Sequence, residues 1–92
     1  MNASFNQYQL DKKYNKFLLK LIAWNIFYTR DNREKADEQA KLALEMMQCL
    51  DLQNLEQYHS HFPLIDSTTL IENFSDYQAT NKDAFEKKKL AF

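Results

Sequence analysis

From Leu10 onward the chain places apolar side chains at Leu10, Tyr14, Phe17, Leu21, Trp24 and Tyr28. Alternating steps of four and three keep such residues on one stripe of an α-helix, which turns once every 3.6 residues or about 100° per residue. The pattern predicts a helix over residues 5–29, with Ser4 as its N-cap and with Phe5 and Tyr8 extending the stripe backwards. A second stripe, Ala36, Ala40, Ala43, Met47 and Leu50, has the same spacing and predicts a helix from Asp31 to Leu50. Asp31 is a residue type that caps helix starts, and Glu34 three positions on completes the capping-box pattern. The link between the two helices is too short for anything but an antiparallel hairpin. The pairing is also sterically sensible, because the first stripe is aromatic and bulky while the second opens with three alanines.

Asp51 to His59 reads as a short third helix carrying Leu52, Leu55 and Tyr58, ending before Pro63, which disfavours helix at the residue ahead of it. Leu70, Ile71, Phe74 and Tyr77 mark a fourth, for which the Thr69-x-x-Glu72 spacing selects Thr69 as the cap. A last helix is expected from Thr80 or Asn81, with Phe85 and Leu90 apolar and Lys87, Lys88 and Lys89 near its electronegative end. The predicted fold class is all-α: one domain over residues 1–92, a small bundle of about four to five helices led by a long antiparallel helical hairpin.

Composition sharpens this. Glycine is absent, where average usage of about 7% would supply about six. The tight hairpin turns of a β-meander need positive φ and so favour glycine, which counts against strands. The same absence excludes the glycine-rich phosphate loop, the dinucleotide fingerprint, the hydrolase nucleophile elbow and the EF-hand loop. With one cysteine, Cys49, there is no intramolecular disulfide and no cysteine zinc knuckle, and Cys49 reads as a small buried apolar residue of the second helix. The first ten residues are polar, and the apolar run Phe17 to Tyr28 is broken by Lys20 and Asn25. Neither a signal peptide nor a membrane span fits, and a cytoplasmic location with no membrane partner is expected.

Candidate chemistry is sparse. His59 and His61 are two residues apart and point to different sides of a helix, whereas the strong zinc motif places two histidines four apart with a glutamate between. They read as part of a polar loop, and no metal, cofactor or catalytic residue is assigned. The protein is expected not to be an enzyme.

Charge divides along the chain. Residues 1–30 carry five basic side chains and one acidic, a net of +4, and residues 31–56 carry three basic and seven acidic, a net of −4. Lys12, Lys13, Lys16 and Lys20 lie along one side of the first helix, with Arg30 further on. An acidic second helix beside them favours an intramolecular complement over nucleic acid.

More informative are the apolar residues off the stripe. At 100° per residue from Leu10 the stripe occupies about 320° to 80°, while Leu19 and Ile26 fall near 160° to 180° and Phe27 near 260°. The second helix repeats the pattern with Leu42, Met46 and Cys49. One packing face cannot bury all of them, so either later helices cover a second face or part of it meets another molecule. The candidate partner-binding surface is Leu19, Ile26 and Phe27 with Lys16, Lys20 and Arg30 at the rim. The function expected from this pattern is a non-enzymatic protein-binding module of the inhibitor, immunity-protein, adaptor or chaperone type. The alternatives are a nucleic-acid-associated regulator using the basic side of the first helix and a homo-oligomer that consumes the extra apolar face.

Overall fold

The structure, a computed structural model, describes the backbone of residues 2–80 and the side chains of residues 5–80. These residues form a small all-α fold: α1 (Asn2–Thr29), α2 (Arg33–Met47), a 3-10 helix (Leu52–Gln57) and α3 (Ser67–Thr80). The helix expected after Thr80, with Phe85, Leu90 and the lysine run, lies outside the described residues. No helix among the described residues is long and apolar enough to cross a membrane.

α1 and α2 form the expected hairpin, with two corrections at its turn. Asp31 does not cap α2. It takes a left-handed backbone conformation, φ 59°, the position that usually calls for glycine at a helix C-terminus. Its N–H donates to the Tyr28 carbonyl (3.2 Å) while the Asn32 N–H reaches the Phe27 carbonyl (2.9 Å). This pair of bonds closes α1 in a Schellman motif, with aspartate substituting for the glycine the chain lacks. The cap of α2 is therefore Asn32, whose side chain accepts from the Lys35 N–H at 3.3 Å. At the other end α1 already begins at Asn2, so Ser4 lies inside the helix rather than at its cap.

Across the hairpin, Ala36, Ala40 and Ala43 are fully buried and bring the α2 backbone close to Tyr14, Phe17, Leu21 and Trp24. Leu18 joins them at 0% exposure although it lies off the named stripe. Leu10 is only half-buried, and Tyr28 is exposed at the end of the core, its ring packed on Trp24 and Tyr77. α2 ends at Met47, earlier than its stripe suggests, so Cys49 is exposed in the following turn rather than buried.

The segment after α2 is not an α-helix. It is a 3-10 helix bent at Asn54 (φ −114°, ψ 56°), after which Tyr58 turns back into the core and stacks on Tyr14 at 4.9 Å and 7° between planes. The Tyr58 hydroxyl also accepts from the Asp51 N–H at 2.6 Å, tying the two ends of this segment together. α3 starts one turn before its predicted cap. Asp66, not Thr69, is the capping side chain: its carboxylate accepts from the Thr69 N–H (3.1 Å) and from the Thr69 hydroxyl (2.7 Å). These bonds hold the Asp66 carboxyl below its ordinary titration range, the hydroxyl bond most of all. Leu70, Ile71, Phe74 and Tyr77 are buried as the pattern predicts. The chain passes Asn15 at His61 and Tyr28 at Tyr77, so α3 runs in the same sense as α1.

Candidate functional site

α1 is the central element, and its surroundings differ by direction. On the side near 300° from Leu10 it meets α2, where Phe27 packs half-buried against the core and the Lys35 ammonium lies 5.6 Å from the centre of its ring. Lys20, also half-buried, lies toward this side. In the other direction, polar residues of α1 hold the connecting segment. Gln7 donates to the Gln57 carbonyl, Asp11 accepts from the His59 N–H at 2.8 Å, and Asn15 accepts from the His61 N–H at 2.7 Å while donating to the His59 carbonyl at 3.1 Å. These three residues are spaced by four and form a polar ladder up one edge of α1. The ladder engages the backbone at His59 and His61 and leaves both residues exposed. No group of three potential metal-ligating side chains occurs among the described residues.

Toward the C-terminal ends of α1 and α3, Trp24, Tyr28 and Tyr77 pack on one another with ring centres 5.2–5.7 Å apart. Trp24 is 2% exposed, and its indole N–H has no hydrogen-bond partner. Tyr77 donates its hydroxyl to Asp37, bridging α3 to α2. Burial first, and then the Asp37 carboxylate, push the Tyr77 phenol well above its ordinary value of 10.0. A cleft of about 320 Å³ opens beside these rings, bordered by Asn25, Asn73 and Asp76. The Trp24 and Tyr77 rings are buried against each other and present almost no surface to it, so the cleft offers mainly polar walls.

What remains of α1 is the sector from about 160° to 240° from Leu10 at 100° per residue. It contains Phe5, Tyr8, Lys12, Lys16, Leu19, Ala23, Ile26 and Arg30, and every one except Ala23 is exposed. Leu19 is 51% and Ile26 44% exposed. Four of the six expected surface residues, Lys16, Leu19, Ile26 and Arg30, therefore share one open face, while Lys20 and Phe27 turn toward α2. Phe5 and Tyr8 do not extend the core stripe. They fall on the open face and lengthen it toward the N-terminus, a consequence of their angles that a spacing rule drawn backwards from Leu10 overlooks.

The open face is apolar along its middle and cationic at its flanks. Phe5, Lys12, Leu19 and Ile26 succeed one another at intervals of seven, the repeat that keeps a seam facing a neighbouring helix. The single acidic residue of α1, Asp11, is turned away into the polar ladder. A hollow of about 150 Å³ lies beside this face between α1 and the end of α2, lined by Lys13, Lys16, Met46 and Cys49. Such an arrangement can bind but supplies no nucleophile paired with a base.

Comparison with protein-family models, with curated proteins and with solved structures found no match. The reading of this face rests on its own geometry.

Proposed function

We propose that the protein is a non-enzymatic protein-binding module that docks its partner on the outward face of α1. The observation that carries this reading is the exposure of Leu19 and Ile26, two large aliphatic residues one heptad apart on a helix whose opposite side is fully buried. Phe5 and Tyr8, also exposed, continue the same face, giving a contiguous apolar strip rather than scattered surface residues. Lys16 and Arg30 border the strip, and basic residues beside apolar anchors are common at interfaces. Lys20 and Phe27 support it from the α2 side.

Photo-crosslinking in the native cell tests this proposal. A photoreactive residue replacing Leu19 is expected to give a discrete heavier adduct, and the same residue replacing Glu72 on the exposed side of α3 is expected to give none. Equal adducts from both positions, or none from Leu19, would remove α1 as the docking face.

A further inference from the structure

Resting on the docking reading above, we infer that the occupant of the open α1 face is an acidic amphipathic helix of a partner protein, laid lengthwise along α1. The length of the face argues for a helix. From Phe5 to Ile26 the apolar positions run 21 residues, about 32 Å at the helical rise, and their interval of seven matches the a-type register of helix-on-helix packing. A compact loop would contact only part of such a strip.

Charge specifies the sign of the occupant. Lys12, Lys16 and Arg30 stand exposed on the strip or beside it, and Asp11, the one carboxylate of α1, is engaged with the His59 N–H. A partner helix carrying Glu or Asp beside its apolar seam meets three cations with no competing anion from this face. A second copy of the chain would instead bring like charges together. An anionic membrane would attract the strip but repel the remainder of the described chain, since residues 31–80 hold ten acidic and three basic side chains, net −7. The hollow between Lys13, Lys16, Met46 and Cys49 lies within reach of the strip at Lys16 and suits one larger apolar side chain of the occupant, with Met46 as an adaptable wall.

The experiment uses the full chain and three synthetic helical peptides of about 24 residues, sharing leucines at heptad a and d positions and differing only in flanking residues: Glu, Gln or Lys. Binding is read by fluorescence anisotropy at low salt. The Glu peptide is expected to bind saturably, the Gln peptide about tenfold more weakly, and the Lys peptide not at all. Leu19→Asp is expected to abolish binding, and Lys12→Glu/Lys16→Glu/Arg30→Glu to reverse the order of the Glu and Lys peptides. Equal binding of the Glu and Gln peptides overturns the acidic occupant while leaving the docking face standing. Failure of all three peptides, with Leu19 still crosslinking to a protein, overturns the helical occupant alone. Leu19-dependent binding to phosphatidylserine vesicles, or a dimer lost on Leu19→Asp, overturns it in favour of a membrane or a second copy.

Discussion

Leu18 and Leu19 are adjacent in sequence and opposite in fate: Leu18 is 0% exposed and Leu19 51%. The difference follows from what α1 packs against rather than from either side chain. Leu18 faces the side closed by α3 and the segment before it, and Leu19 faces no other described element. Leu18→Ala is therefore expected to cost about 2–5 kcal/mol through lost burial and a cavity. Leu19→Ala is expected to change stability by less than about 0.5 kcal/mol, as exposed substitutions usually do. Urea unfolding followed by the fluorescence of Trp24, the chain's one tryptophan, separates the two; equal costs would mean that Leu19 is covered.

Asn15 satisfies two backbone groups of another segment at once, the His61 N–H and the His59 carbonyl. Asn15→Leu leaves both without their partner at a buried site, and a loss of about 1–3 kcal/mol is expected. Limited proteolysis near residues 57–63 should accelerate in the same variant. Unchanged cleavage would show that the polar ladder does not hold this segment.

Asp31 adopts φ 59°, a conformation that costs a residue with a β-carbon about 1–2 kcal/mol and costs glycine little. Asp31→Gly is expected to stabilise the protein by up to about 1 kcal/mol, part of the relief being offset by glycine's freedom in the unfolded chain. Asp31→Val, β-branched in the same conformation, should destabilise it. A rise in the thermal midpoint for glycine and a fall for valine check the assignment.

The periodicity of the chain carried the hairpin, the alanine stripe and the α3 stripe, because each of those faces is buried by a single neighbour and follows the helical period directly. It did not separate Leu18 from Leu19 or place Phe5 and Tyr8, since those depend on where an irregular segment and α3 lie around α1. Gln7, Asp11 and Asn15 read as solvent-facing polar residues, yet they serve unpaired backbone groups of residues 57–61, a demand invisible until the path of that segment is known. Asp31 and Asn32 are both good caps in sequence. The absence of glycine decided between them, because one residue had to take the left-handed position, and α2 is capped by the next. For the open face, the sequence showed a surplus of apolar residues on α1, and only the three-dimensional arrangement separated those turned to α2, Phe27 among them, from those left outward.

Tyr77 gives a pH signature. Its folded-state phenol titrates above the ordinary value of 10.0 because it is buried and bonded to Asp37. The unfolded chain therefore loses this proton first. The stabilisation is complete below about pH 10 and declines as pH rises from there toward the folded-state value. Tyr77→Phe is expected to cost about 1 kcal/mol at neutral pH through the lost hydrogen bond and to flatten the alkaline fall in stability. A slope above pH 10 identical to that of the parent protein would contradict the role given to Tyr77.

The outward face of α1 as the partner surface is tested most directly by one comparison: recovery of the native partner by the tagged protein and by its Leu19→Asp/Ile26→Asp variant, with Trp24 fluorescence confirming that both are folded. The variant is expected to keep its Trp24 emission and unfolding midpoint and to lose the partner. A folded variant that retains the partner at the parental level would contradict the assignment.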